Sequence, residues 1–171
     1  MKHISENALS FFAFVTTVQF MSIFIDRIYN LGRLSIRYGP CNLNEILWLE
    51  EIIKSILIGL ICGWIANMMD KAQKAQGKEL HIPRIKFKNV ATAILFFTTL
   101  FFGFIFIFVV REYNEYAAQV TYMFQRTFMQ YCATNIPWLE IVATSLIFGI
   151  ILAIGFSSTI DEKSLKDKEV E

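Results

Sequence analysis

Four long apolar runs are the feature of this sequence that most restricts its fold. They occupy residues 8–25, 52–69, 90–110 and 138–160, and the charged residues fall almost entirely between them. A helix of roughly 20 apolar residues is long enough to cross the hydrocarbon core of a bilayer. The first run has a very short charged leader and no small-residue cleavage site after it, so we expect it to be retained as a span. The runs therefore predict four membrane-spanning helices.

The composition fits a protein solvated by lipid. Hydrophobic residues make up 55% of the 171 residues, and the mean hydropathy is +0.47. A soluble domain of this length needs more polar surface. The formal net charge is only +1, which disfavours nucleic acid as a partner because phosphate binding relies on clustered Lys and Arg. We expect an all-α four-helix bundle in a lipid bilayer.

The distribution of Lys and Arg predicts the orientation of that bundle. With four spans, the amino terminus, the connection over residues 70–89 and the tail over residues 161–171 share one side of the membrane. That side carries ten Lys and Arg, and the other side carries five. Because basic loops are retained in the cytoplasm, we expect both termini to be cytoplasmic. The expected location is a bacterial inner membrane.

The two halves of the chain resemble each other. At a shift of 90 positions the second span matches the fourth: Trp48-Leu49-Glu50 with Trp138-Leu139-Glu140, Ser55 with Ser145, and Gly59 with Gly149. At a shift of 82 the first span matches the third. Just beyond these spans, at a shift of 84, one motif recurs as Arg27-Ile28-Tyr29-Asn30 and Arg111-Glu112-Tyr113-Asn114. We interpret this as two tandem helical hairpins, residues 1–80 and 81–160. Chance similarity between apolar segments is the alternative.

Small residues recur every four positions in the second and fourth spans: Ser55, Gly59 and Gly63, then Ser145, Gly149 and Ala153. That spacing places them on one face of each helix. Small residues allow close approach of helices in membranes, where lipid removes the hydrophobic driving force. We expect the second and fourth spans to meet along these faces, leaving the Phe-rich first and third spans against lipid. A homodimer contact is the alternative.

Aromatic and charged residues gather at the predicted outer ends of the spans: Arg27, Tyr29, Trp48, Glu50, Arg111, Tyr113, Trp138 and Glu140. Trp and Tyr favour the membrane interface, and Arg near Glu predicts ion pairs such as Arg27 with Glu50 or Glu140. The group either anchors the protein or forms a symmetric docking site. Beyond residue 110, aromatic residues at spacings of three and four predict one amphipathic outer helix.

Six basic residues lie on the predicted cytoplasmic side, in the connection between the halves: Lys71, Lys74, Lys78, Arg84, Lys86 and Lys88. Basic segments beside a span attract anionic lipid head groups. A solvated charged loop is the alternative.

One cysteine lies in each outer loop, Cys41 and Cys132, and a disulfide between them would join the two halves in an oxidising compartment. Free thiols are the alternative. The segment Pro40-Cys41-Asn42-Leu43-Asn44 resembles the Pro-Cys-x-x-Cys loop of the four-span, quinone-linked disulfide-forming enzymes, which implies a membrane thiol-disulfide oxidoreductase. Asn44 stands where that loop has its second cysteine, and Cys132 lacks a partner, so two dithiol pairs cannot form.

Other catalytic signals are missing from the sequence. It has no Gly-rich phosphate loop, no nucleophile elbow and no metal-ligand cluster. We therefore expect no cofactor or metal, and a non-catalytic membrane protein. It would act as an accessory or assembly subunit, or as an immunity-type protein, that binds another membrane protein or a second copy of itself. The alternative is an oligomeric channel lined by polar residues of the first and third spans, Thr16, Thr17, Gln19, Thr98 and Thr99. Ordinary hydrogen bonding between helices is the other interpretation of these residues, and the one we favour.

Overall fold

The computed structural model describes residues 5–78, 82 and 84–158, and the predicted charged tail lies outside this range. Four of its helices are long and apolar enough to cross a membrane: α1 (Glu6–Tyr38), α2 (Trp48–Ala75), α3 (Val90–Gln119) and α5 (Trp138–Phe156). A short helix, α4 (Phe128–Asn135), precedes α5, and 3-10 turns occupy Leu43–Glu45 and Tyr122–Phe124. The helical, membrane-type architecture predicted from the apolar runs is confirmed.

The first and third helices are longer than the apolar runs that predicted them. α1 has 33 residues and α3 has 30, or about 50 and 45 Å at 1.5 Å per residue, against roughly 30 Å of hydrocarbon. Both extend past their apolar runs toward the end of the bundle that holds the loops α1–α2 and α3–α5, which is here called the outer end. The basic end is the opposite one, where α2 connects to α3.

The chain beyond residue 110 does not form the single amphipathic helix that its spacing predicted. α3 continues to Gln119, and α4 begins separately after Thr127. Thr127 begins α4 with a capping box, in which its side chain accepts from the Gln130 backbone N–H at 3.3 Å and its own N–H donates to Gln130 Oε1 at 3.1 Å. Such a reciprocal cap favours a new helix start over continuation.

The helices are arranged around α1, which packs against α2, α3 and α5, while α3 also pairs with α5. α2 and α5 barely touch, so the expectation that the second and fourth spans meet along their small residues is wrong. All six small residues are buried, but against side chains of α1 and α3. A Cβ atom on Gly59 would overlap Thr16, and one on Gly149 would overlap Thr98. Thr16 and Thr98 occupy the space over these glycines, so the small residues bring α2 close to α1 and α5 close to α3.

Aromatic rings fill the centre of the bundle. Phe20 of α1 lies 4.6 Å from Phe148 of α5 between ring centroids, and Phe148 stacks on Phe101 of α3 at 4.9 Å. Trp48 of α2 joins the same cluster beside Phe24, at 5.3 Å. The expectation that the Phe-rich α1 and α3 face lipid therefore holds only in part, because Phe20 and Phe101 are buried in the core whereas Phe14 and Phe104 are exposed. Ring packing supplies the contact energy that lipid-solvated helices need in order to associate.

Two very short strands occur at the basic end. β1 (Ile85–Lys86) and β2 (Ser157–Ser158) pair in parallel, with Ile85 opposite Ser157. They join the connection between the halves to the end of α5, and the hydropathy pattern gave no indication of them.

Candidate functional site at the outer end

The same turn precedes α2 and α5. Leu47 has φ −79° and ψ 72°, and Pro137 has φ −80° and ψ 78°. In each case the backbone N–H of the following tryptophan donates to the carbonyl two residues earlier, at 2.9 Å for Trp48 and 3.0 Å for Trp138. Each indole N–H donates to a carbonyl of its own outer loop, at 3.4 and 3.0 Å. The two helices thus start with equivalent local geometry.

A cleft lies between these two helix starts. Its volume is about 550 Å³, and its lining includes Asn44, Trp48, Leu49, Glu50, Pro137 and Glu140. The cleft exists because α2 and α5 both pack on α1 and α5 also on α3, so their own ends stay apart. Both halves of the chain therefore contribute to one concave surface at the outer end.

The two carboxylates of the cleft differ in their partners. Glu50 lies 2.5 Å from Lys54 Nζ one helical turn away, the i,i+4 pair that the sequence spacing allows. Glu140 is exposed and makes no ion pair with any residue that the structure describes. A carboxylate beside apolar and aromatic side chains is a suitable acceptor for an amine or guanidinium.

Arg27 pairs with Glu51, and not with Glu50 or Glu140 as predicted. Its Nη2 lies 3.0 Å from Glu51 Oε1, and the Glu51 side chain is 3% exposed. Successive helical residues point roughly 100° apart. Glu51 consequently faces α1, while Glu50 faces the cleft and solvent.

The remaining predicted outer residues lie away from the cleft. Tyr29 is exposed, with the Arg33 guanidinium 5.7 Å from its ring centroid. Arg111 pairs with Glu115 on its own helix at 3.0 Å. The Tyr113 hydroxyl donates to the Arg126 carbonyl at 3.2 Å. Tyr29 and Arg111 thus have partners on their own helices, Tyr113 joins α3 to the following loop, and none of the three lines the concave surface.

Two buried polar groups near α4 were not anticipated from the sequence. Tyr131 is fully buried and Glu112 is 2% exposed, and neither the Tyr131 hydroxyl nor Glu112 Oε2 has a hydrogen-bond partner. Burial, followed by the nearby Glu112 charge, raises the pKa of Tyr131 above its ordinary value. The available signal was the second copy of the Arg-x-Tyr-Asn motif, which has Glu112 where the first copy has the buried Ile28.

The predicted Cys41–Cys132 disulfide is not present. All three cysteines lie in the described part of the chain, and all are free. The Cys41 thiol donates to the Gly39 carbonyl at 3.7 Å, and Cys132 is buried, which raises the pKa of its thiol. A thiol with a raised pKa forms little thiolate, so Cys132 is poorly suited to a thiol relay.

The basic residues of the connection lie at the basic end, where most are exposed: Lys71, Lys74, Lys78, Lys86 and Lys88. Lys74 pairs with the buried Asp70 at 3.2 Å. Arg84 differs from the lysines because it is mostly buried and lies 3.4 Å from Glu6. Its guanidinium is thus directed to α1 and not to open solvent.

The polar residues proposed as pore-lining are mostly engaged inside the chain. Thr16 and Thr98 fill the hollows over Gly59 and Gly149, and Thr17 and Gln19 are partly buried. Thr99 is exposed on α3. Thr16 and Thr98 are thus packed within one chain and do not lie on a surface that several copies could line together.

Metal chemistry has no evident site in the described ranges, where no three His, Cys, Asp or Glu side chains are grouped so as to hold an ion. The cleft between α2 and α5 is the candidate site considered further, because both halves of the chain line it and it presents the unpaired Glu140. Comparison with known proteins adds no assignment to it, because no protein-family profile, no curated protein and no solved structure matches this chain.

Proposed function

We propose that this chain is a non-catalytic membrane protein that binds a partner membrane protein through the outer cleft, as an accessory or assembly subunit or an immunity-type protein. The observation that carries the proposal is the cleft itself. The starts of both α2 and α5 line it, and it presents Glu140 unpaired beside Trp48 and Pro137. A surface with these properties suits a Lys or Arg side chain carried on an apolar segment.

The proposal includes a tandem duplication of one helical hairpin. Several matched pairs support it besides the turns before Trp48 and Trp138. The Ser55 hydroxyl donates to the carbonyl four residues earlier at 2.7 Å, and Ser145 does the same at 2.7 Å. The Thr16–Gly59 and Thr98–Gly149 contacts fall at matched positions of the repeat. Duplication would explain why both halves contribute equivalent residues to one cleft.

Orientation and location belong to the same proposal. The excess of Lys and Arg at the basic end supports a cytoplasmic location for that end and both termini, and a bacterial inner membrane as host. Thiol labelling of intact cells tests this. A cysteine placed at the exposed Lys88 of an otherwise cysteine-free protein should be protected from an impermeant maleimide, and a lone Cys41 should react. Labelling at position 88 with protection of Cys41 would instead mean that the protein has the opposite orientation, with the cleft in the cytoplasm.

Docking at the cleft is tested by affinity purification in mild detergent followed by mass spectrometry. The wild type should retain a stoichiometric partner, and Glu140→Lys should lower its recovery at least tenfold, because a like charge faces the partner's cation. Glu45→Lys is the matched control, since Glu45 is exposed at the same outer end of the bundle but does not line the cleft. Equal losses in both variants would exclude the cleft as the docking site. If only a second copy of this chain is recovered, the partner is the chain itself and the protein is a homo-oligomer.

Channel and thiol-relay activities receive less support. An oligomeric channel needs polar groups on the surface where copies meet, and Thr16 and Thr98 instead pack inside one chain on Gly59 and Gly149. A thiol relay needs an accessible thiolate, and Cys132 is buried with a raised pKa. Flux measurements on liposomes should therefore show no ion conductance by the reconstituted protein.

A further inference from the structure

A second concave surface lies near the basic end, on the side of the α1–α2 pair. It is a groove of about 270 Å³ lined by Ala8, Leu9 and Phe12 of α1 and by Leu60, Gly63 and Trp64 of α2, with Asn67 at one end. Gly63 brings the two helices together there, because a Cβ atom at this position would lie 2.9 Å from Phe12 Cβ. Trp64 stays 63% exposed and forms one wall.

The groove changes from apolar to basic along one face of α2. Leu60, Trp64, Asn67, Lys71 and Lys74 follow one another at spacings of four, three, four and three residues, which places them on one helical stripe. Lys74 is paired with Asp70. Lys71 is exposed and has no ion pair among the described residues. Lys71 is thus the available cation at the end of an apolar groove.

The dimensions of this stripe match one leaflet of a bilayer. Lys71 lies eleven positions after Leu60, which is a rise of about 16 Å at 1.5 Å per residue. Half of the hydrocarbon core is about 15 Å thick. With Leu60 near the bilayer centre, Lys71 therefore lies at the depth of the lipid phosphates. Helical side chains lean toward the preceding turn, so Lys71 lies over the turn of Asn67.

Asn67 provides a polar group at the same depth. Its Oδ1 accepts from the Ser5 backbone N–H at 3.1 Å, which assigns the other side-chain atom as the amide nitrogen and leaves that nitrogen as a donor. A donor amide beside a lysine is complementary to a phosphodiester and not to a cation. Along α2 the apolar walls of the groove come first, followed by the Asn67 amide donor and the Lys71 cation. A phospholipid has the same order, with its apolar acyl chain followed by its anionic phosphate.

We propose that this groove binds one anionic phospholipid, with an acyl chain against Gly63 between Phe12 and Trp64, and the phosphate at Asn67 and Lys71. The sequence predicted that the six basic residues of the connection attract lipid head groups together. The present inference assigns head-group binding to one site that contains one of them, Lys71. It requires the chain to span a bilayer but does not depend on the outer cleft.

Native mass spectrometry of the delipidated protein in mild detergent, titrated with phosphatidylglycerol or phosphatidylcholine, tests the proposal. One phosphatidylglycerol should bind before any other lipid and more tightly than phosphatidylcholine. Each charge near an anionic lipid changes affinity about fivefold, so Lys71→Glu should weaken phosphatidylglycerol binding about 25-fold. Lys86→Glu is the matched control, because it makes the same charge change at an exposed site outside the groove, and it should change affinity less than about fivefold.

A second pair of variants tests the apolar part of the site. Leu60→Trp should fill the groove and remove the first bound lipid of either type, while Ile61→Trp, at a lipid-exposed position outside the groove, should leave it. Equal binding of both lipids, or equal losses in Lys71→Glu and Lys86→Glu, would overturn the proposal and leave only a diffuse attraction. Because these variants leave Glu140 unchanged, failure here would be distinct from failure of docking at the outer cleft.

Discussion

Thr16 packs so closely on Gly59 that the glycine has no room for a side chain. The contact joins the first two spans in the middle of the first hairpin, and Thr98 on Gly149 repeats it in the second. In a membrane, such close contacts replace the hydrophobic effect as the force that holds helices together. The two contacts are therefore the points at which each hairpin is most sensitive to added volume.

Gly59→Ala and Gly149→Ala should each destabilise the folded protein by about 1–3 kcal/mol, the usual range for overpacking. Unfolding in mixed detergent micelles, followed by circular dichroism, would measure the loss. Gly103→Ala is the control, since nothing lies within 4 Å of a Cβ atom there, and it should be neutral or slightly stabilising because alanine favours the helix. Combining Gly59→Ala with Thr16→Ala should restore part of the loss, and no restoration would mean that the clash lies elsewhere.

The positions of the spans could be predicted from the sequence because insertion in lipid depends on each segment alone. A run of roughly 20 apolar residues is favourable whatever its neighbours are. Helix pairing depends on the surfaces of two helices at once. A glycine at position 59 predicts a close contact, but it does not identify the side chain on the other helix that makes this contact. Contact between helices was one of the two roles that the sequence allowed for Thr16 and Thr98, but nothing in the sequence paired them with Gly59 and Gly149.

The outer cleft could be predicted only in part. The repeated Trp-Leu-Glu motif correctly placed Glu50 and Glu140 at one end of the bundle, where both line the cleft. It could not give the rotation of α2, which decides that Glu51 and not Glu50 meets Arg27. Nor could it show that α2 and α5 remain apart, because that gap results from the position of α1 between its partners.

The Arg27–Glu51 ion pair should be important for stability, because the carboxylate is buried. Arg27→Gln would leave Glu51 with only Lys54 nearby, at 3.7 Å. Removing one partner of a fully buried pair costs several kcal/mol, but Arg27 is half exposed, so we expect a loss of about 1–2 kcal/mol. The double variant Arg27→Gln/Glu51→Gln should recover at least half of this loss in the same unfolding assay.

Arg111→Gln provides the comparison for that pair. Arg111 and Glu115 are both partly exposed, with 48% and 32% of their side chains accessible, and such pairs contribute little. We expect a change below about 0.5 kcal/mol. Similar losses for Arg27→Gln and Arg111→Gln would show that burial of Glu51 does not determine the strength of its pair.

Tyr131 should make the protein lose stability at alkaline pH. Burial and then the Glu112 charge raise its pKa above the ordinary value of 10.0. Below pH 10 the phenol is neutral in both the folded and unfolded states, so it contributes no pH dependence. Above pH 10 the unfolded state ionises first, and the free energy of unfolding should fall by about 1.4 kcal/mol per pH unit from this group, until the pH passes the raised pKa of the folded state.

Tyr131→Phe should remove that alkaline loss. At pH 7 it should be neutral or stabilising by about 1 kcal/mol, because it deletes a buried hydroxyl that has no partner. Tyr122→Phe is the control at an exposed tyrosine and should keep the wild-type profile. Free energies of unfolding between pH 8 and 11 would test both, and parallel profiles for the wild type and Tyr131→Phe would disprove the assignment.

Cys132 should react with maleimide much more slowly than Cys41. The Cys132 side chain is buried, and burial raises the pKa of its thiol, so both access and the thiolate fraction are reduced. Cys41 is partly exposed in the loop before α2. In variants that keep only one of the two cysteines, we expect the labelling rates at pH 8 to differ at least tenfold in mild detergent and to converge in sodium dodecyl sulfate. Equal rates in the folded state would mean that α4 does not bury Cys132, or Tyr131 beside it, against the bundle.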